Sequence, residues 1–189
     1  MRKTFPLILF AGLAAVFSLA FIYPQPQSTI NSSESTSPSV AADEIKWMTW
    51  EEAVKACEKE PRKIFVDCYT DWCGWCKRMD QTTFKDDAVV AFMNKNFYAV
   101  KFDAEQQEEI KWRNMTFQYV KAGRRGVHQL AYSLLDGKLS YPSFVYLNEK
   151  FDRISISKGY KEPDALQKEL QWVAGNHYKN TSFKDFSGR

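Results

Sequence analysis

The sequence predicts an α/β domain built on a mixed β-sheet, and three observations carry that expectation. Lys63-Ile64-Phe65-Val66-Asp67-Cys68-Tyr69 and Tyr98-Ala99-Val100-Lys101-Phe102-Asp103 are nearly continuous apolar runs of strand length, the pattern of strands covered on both faces. Between them, residues 74–92 carry apolar side chains at helical spacing, so strand, helix and strand make a βαβ unit with parallel strands. Farther on, Ser143-Phe144-Val145-Tyr146-Leu147 and Arg153-Ile154-Ser155-Ile156-Ser157 flank Asn148-Glu149-Lys150, a hairpin signal that adds antiparallel pairing.

The remaining elements follow in order. Ile45-Lys46-Trp47-Met48 alternates as a short first strand would. Thr49 with Glu52 three residues later fits a capping box, opening a helix that runs to about Lys59 and stops before Pro61. The helical stretch after residue 74 has a break near residues 81–85. Residues 106–125 are charged, contain Trp112, Phe117 and Tyr119, and change period near Met115, which fits either one helix or a helix plus a short strand. Residues 127–135 read as a helix. Pro163 at a first turn, with Leu166, Leu170 and Val173 at helical spacing, gives the last helix. Residues 175–189 are polar with scattered aromatics and read as a loosely ordered tail, leaving one domain over residues 44–174.

Ahead of that domain, Arg2 and Lys3 precede an uncharged, mostly apolar run from Phe5 to Ile22. Residues 1–23 therefore read as a signal sequence or signal anchor. As a helix the run would reach about 27 Å against a hydrocarbon core of roughly 30 Å, which suits either use. No small-x-small cleavage site follows directly, so a membrane tether through residues 5–22 is the preferred reading. Residues 24–43 are rich in Ser, Thr, Pro, Gln and Ala and read as a flexible linker. The domain is expected to be exported, in a periplasm or on the outer face of the cytoplasmic membrane. The chain has 26 basic and 23 acidic residues, a net +3, and losing Arg2 and Lys3 would leave 24 against 23. So small an excess argues against nucleic acid as a partner.

The chemistry concentrates in Asp71-Trp72-Cys73-Gly74-Trp75-Cys76-Lys77. Two cysteines three positions apart at a strand-to-helix corner let a thiolate at the first attack a partner's disulfide while the second resolves the mixed disulfide. The same spacing also serves a plain stabilising disulfide or half of a zinc site, but no second pair or joining histidines supply further ligands. No metal and no cofactor are expected. Asp67 is a lone acid in an apolar strand, where it must be protonated or partnered unless the strand edge solvates it. Cys57 and Cys68 read as buried inert thiols or as a second disulfide. His128 and His177 are isolated and receive no role.

The run from Phe65 through Lys77, with Tyr141-Pro142-Ser143 and then Gly159 before the last helix, resembles the thioredoxin superfamily over roughly residues 45–174. Within it, the segment from Asp71 to Lys77 is similar to the outward-facing thioredoxin-like domain of bacterial membrane thiol:disulfide interchange reductases and to small exported thioredoxin-like proteins. The resemblance implies a thioredoxin fold: three αβα layers with a central mixed β-sheet. It also implies roles. Cys73 would be the nucleophile and Cys76 the resolving thiol. Asp67 would move the resolving proton with Lys101 as its pair. Pro142 would be cis, and Tyr141 would offer its backbone to an extended substrate. The aromatic surfaces of Trp72 and Trp75 beside the nucleophile read, each of them, either as substrate-holding groups or as packing residues.

Trp75 stands where ordinary thioredoxins have Pro and oxidising isomerases have His, which favours reduction over strong oxidation. Tyr141 departs from the smaller residue common there, so substrate preference stays open. A reductase of protein disulfides in an oxidising space needs a membrane electron donor. Disulfide isomerase or oxidase, and a non-enzymatic binding module, are the rival expectations. Residues 106–125 exceed their counterpart in a minimal thioredoxin and, with Lys121, Arg124 and Arg125, read as a solvated basic insertion or as a shaper of partner choice.

Overall fold

The computed structural model describes residues 44–188; the expected leader over residues 5–22 and linker over residues 24–43 lie outside the described residues. Strand β1 (Trp47–Met48) leads into helix α1 (Trp50–Lys59). The capping box forms as the sequence requires: Thr49 Oγ1 accepts the Glu52 N–H at 3.2 Å, and a Glu52 carboxylate oxygen accepts the Thr49 N–H at 2.8 Å. Next come β2 (Lys63–Tyr69), α2 (Gly74–Gln81), a 3₁₀ turn at Thr83–Lys85, α3 (Asp87–Asn96) and β3 (Phe97–Asp103). The expected helical break falls at Thr82, whose hydroxyl donates back to the Arg78 carbonyl at 2.8 Å. Asp86 then restarts the helix by accepting the Ala88 and Val89 N–H groups.

After β3 the chain makes two short hairpins, β4 (Ile110–Trp112) with β5 (Met115–Phe117) and β6 (Tyr119–Ala122) with β7 (Arg125–His128). They are followed by α4 (Gln129–Leu134), β8 (Ser143–Leu147), β9 (Arg153–Lys158) and α5 (Pro163–Ala174). The main sheet has the order β1-β3-β2-β8-β9. β1, β3 and β2 run parallel, while β8 and β9 are antiparallel, so the sheet is mixed.

Alternation along β2 divides the core. Ile64, Val66 and Cys68 pack with α1 and α4 through Trp50, Ala53, Leu130 and Leu134. Phe65 faces the other layer, with Met79 of α2, Val89 and Met93 of α3 and Leu166 and Leu170 of α5. Each such large apolar side chain stabilises the fold by about 1.5–3 kcal/mol on full burial. By the same period of two, Asp67 shares the Phe65 side and projects into the layer that contains α2.

Three expectations are corrected. Residues 106–125 contain no helix. Arg113 and Asn114 both have positive φ, 49° and 60°, between paired Trp112 and Met115, which is what a two-residue type I′ hairpin loop needs. Nor is this segment merely solvated, because Ile110 and Phe117 are buried and Trp112 lies edge-on to Trp50 at 5.0 Å. The helix expected from residue 127 begins at Gln129, since Val127 and His128 belong to β7. In the tail, a 3₁₀ turn at His177–Lys179 and helix α6 (Phe183–Ser187) are ordered on α5: Trp172 contacts Tyr178 and Phe183, and its indole N–H donates to the Thr181 carbonyl.

Candidate active site

Cys73 is the N-cap of α2, at the corner where β2 hands the chain to the helix. Its Sγ accepts the Cys76 backbone N–H at 3.1 Å, so the sulfur already lies against the positive end of the helix dipole. Cys73 and Cys76 are joined as a disulfide with Cα atoms 5.3 Å apart, and both are buried, at 4% and 2% exposure. Thr70 fixes the approach by accepting the Cys73 N–H at its carbonyl, 3.0 Å away.

Two aromatic pairs flank the sulfurs. Trp72, 51% exposed, lies edge-on to Tyr141 at 5.9 Å. Trp75, 62% exposed, lies 5.2 Å from the Tyr160 ring. The two loops behind these partners are tied together, since the Gly159 N–H donates to the Pro142 carbonyl at 2.8 Å. The Tyr141–Pro142 peptide bond is cis, as the resemblance implies. Neither the backbone N–H nor the carbonyl of Tyr141 has a hydrogen-bond partner among the described residues. Burial pushes the Tyr141 phenol up to about 12, with Cys68 and the acids Glu105 and Asp103 adding to the rise, so it stays protonated.

Beneath α2, Asp67 is 1% exposed and pairs in register with Lys101 on β3. Lys101 Nζ donates to Asp67 Oδ2 at 2.6 Å, while Oδ1 is buried without a hydrogen-bond partner among the described residues. Burial outweighs the attraction of Lys101 and raises the Asp67 carboxyl to about 6. For Lys101 the balance is reversed: burial pulls its ammonium down, but the charges and hydrogen bonds of Asp67 and Asp80 outweigh burial and hold it above its ordinary value. Asp80, on α2, is the partner that sequence reasoning missed. Lys101 donates to it as well, and the ammonium also lies over the rings of Trp47, Tyr69 and Phe84 at 5.0–5.1 Å. A cleft of about 350 Å³ lined by Glu44, Trp47, Asp80, Phe84 and Lys101 reaches Lys101 and Asp80 but not Asp67.

Cys57 and Cys68 are both buried and free, so the second disulfide does not form. Cys57 Sγ contacts the Arg62 and Glu149 carbonyls, and burial, then Asp67, pushes the Cys68 thiol far up, which makes it an inert packing group. His128 has a structural role that its isolation in sequence concealed. It is fully buried, its Nδ1 caps α4 by accepting the Leu130 N–H at 3.2 Å, and its Nε2 meets the Glu108 carbonyl at 3.0 Å.

A family model described as Thioredox_DsbH, "Protein of unknown function, DUF255", matches residues 30–158, more than half of the chain. The chain belongs to this family. It is a family of thioredoxin-like proteins. The fold agrees with solved structures: a DsbH oxidoreductase at TM-score 0.52 and 15% identity, covering 72% of this chain and 89% of that one, and a thioredoxin from Thermus thermophilus at 0.52 and 16%, covering 69% and 88%.

Among curated proteins, spermatogenesis-associated protein 20 of Rattus norvegicus is 30% identical over 99 residues, 50% of this chain and 12% of that protein. The thiol:disulfide interchange protein DsbD of Haemophilus ducreyi is 35% identical over 63 residues, 33% of this chain and 11% of that protein. The matched stretch thus spans only about an eighth of these relatives' own length.

Proposed function

We propose that this protein reduces protein disulfides on the outer side of a membrane. The observation that carries the reading is the placement of Cys73: a helix N-cap whose sulfur accepts the N–H of the cysteine it is bonded to. In the reduced form that N–H stabilises the Cys73 thiolate. The thiolate attacks one sulfur of a substrate disulfide, the substrate's other sulfur leaves as a thiolate that takes up a proton, and a mixed disulfide remains on Cys73. Cys76 then gives its proton to Asp67, attacks the Cys73 sulfur and releases the second substrate thiol. Two electrons pass to the substrate, and the Cys73–Cys76 disulfide is left behind.

In this reading Lys101 is a positioning residue that holds Asp67 and bridges it to Asp80. The unpaired backbone of Tyr141 beside Pro142 takes an extended substrate segment as a short strand addition, and Trp72 and Trp75 contact that segment's side chains. A membrane dithiol donor restores Cys73 and Cys76. Export and a tether through residues 5–22 are part of the proposal and are supported by the basic-then-apolar N-terminus. Insulin reduction by the wild-type chain against Cys73→Ser is the test. Turnover that vanishes in the variant supports the reading, and equal rates end it.

A further inference from the structure

A groove of about 320 Å³ lies beside the cysteines, with Trp72, Val127, Leu139 and Tyr141 as its apolar lining and Glu105 and Arg125 as its charged lining. One wall is the β6–β7 hairpin, whose strands pair with no third strand among the described residues. The hairpin is held firmly. The His128 N–H donates to the Ala104 carbonyl at 2.7 Å and the Gln129 N–H to the Gln118 carbonyl at 2.9 Å. Gly126 admits the Tyr119 ring so closely that an added Cβ would sit 2.4 Å from it.

The hairpin reaches the reactive corner directly. The Arg125 guanidinium lies over the Trp72 ring at 4.4 Å, and Trp72 immediately precedes Cys73.

Charge on this wall has one sign. From Tyr119 through His128 the chain contains Lys121, Arg124 and Arg125 and no Asp or Glu, although the whole chain is only +3. The acid in the groove lining is already engaged: Glu105 accepts the Trp72 indole N–H at 3.0 Å and sits 3.8 Å from Arg125. Lys121 and Arg124 are exposed and have no ion-pair partner among the described residues. An apolar groove with unpartnered main-chain groups at Tyr141 and uncompensated positive charge at its hairpin wall fits an extended polypeptide that carries acidic side chains.

Resting on the reductase reading, we infer that the β6–β7 hairpin is a specificity element. It selects protein disulfides whose reactive cysteine is flanked by an extended, acidic segment. Charges at the edge of a binding surface act on encounter and partner choice more than on the chemical step, so the preference lies in KM and weakens with salt.

The test uses the full chain, kept reduced by excess dithiothreitol and corrected for the rate without protein, with two peptides that share one disulfide but carry Glu or Lys flanks, and with hydroxyethyl disulfide. The wild type is expected to favour the Glu peptide about tenfold in kcat/KM, mostly through KM, at low salt. Lys121→Glu/Arg124→Glu should reverse that preference, and Lys121→Gln/Arg124→Gln, which adds no repulsion, should abolish it.

Thermal unfolding of each variant shows that the hairpin is folded. Turnover of hydroxyethyl disulfide with equal rates on both peptides overturns this inference alone. A preference that survives in the charge-reversed variant also overturns it. So does equal peptide turnover accompanied by charge-dependent sedimentation with phosphatidylglycerol vesicles, which assigns the hairpin to a lipid surface. No turnover of any disulfide overturns both this inference and the reductase reading.

Discussion

Replacing Asp67 with Asn tests the central buried charge, because burial of the carboxyl sets the sign of the effect. The carboxyl is 1% exposed, and its burial lifts it from an ordinary value of 3.8 to about 6 even with Lys101 bonded to it. The folded state therefore holds the proton more tightly than the unfolded chain. Stability from this group is fully present below 3.8 and is lost as pH rises through about 6. Above that range the ionised carboxylate costs about 3 kcal/mol relative to a neutral group of the same shape.

Asn keeps an oxygen for Lys101, which also stays bonded to Asp80. Asp67→Asn should then stabilise the oxidised protein by about 3 kcal/mol at pH 8 and by less than about 1 kcal/mol at pH 4. Urea unfolding followed by tryptophan fluorescence at the two pH values reads this directly. Destabilisation at pH 8, or an equal gain at both pH values, would refute the reasoning. The same variant lacks the acceptor for the Cys76 proton and should turn over disulfides about a hundredfold more slowly at pH 7.

Other perturbations separate the remaining parts. Gly126→Ala places a Cβ 2.4 Å from the Val120 carbonyl oxygen, so it should cost about 1–3 kcal/mol in chemical denaturation and impair peptide more than small-disulfide turnover. His128→Ala removes the α4 cap and the Glu108 contact, and should cost about 2–3 kcal/mol at pH 8. Burial holds the His128 imidazole below 6.5, so its contribution is present above 6.5 and is lost as pH falls through the folded value; the variant's deficit should narrow in acid. Iodoacetamide should label neither Cys57 nor Cys68 in the oxidised native protein and both in urea, with intact mass as the readout.

The parts of the fold that span the chain through continuous apolar runs were legible in the sequence. β2 and β8 begin and end where their residue patterns do, and the Thr49–Glu52 capping box marks the start of α1 to the residue. The cysteine pair was readable as a CxxC motif at a corner and Asp67 as a lone acid in an apolar strand, whereas the cis Tyr141–Pro142 bond and the Lys101 contact were expected only through the resemblance to thioredoxins.

Residues 110–128 were not legible, for physical reasons. Strands of three and four residues are too short to show a period of two. The Arg113-Asn114 loop also lacks the usual glycine, with Asn tolerating the left-handed conformation. Asp80 was missed because a half-buried acid on a helix looks in sequence like any surface acid until Lys101 is seen to bridge it to Asp67. The order in the tail depends on Trp172 contacts that only the folded chain creates.

The reduction potential of the Cys73–Cys76 couple tests the reductase reading most directly. Equilibration of the full chain against defined glutathione ratios, read by Trp72 and Trp75 fluorescence beside the disulfide, gives the value. A reducing couple should show a potential of roughly −270 mV, in the range of reducing thioredoxins. A potential near roughly −120 mV would make the couple an oxidant and contradict that reading.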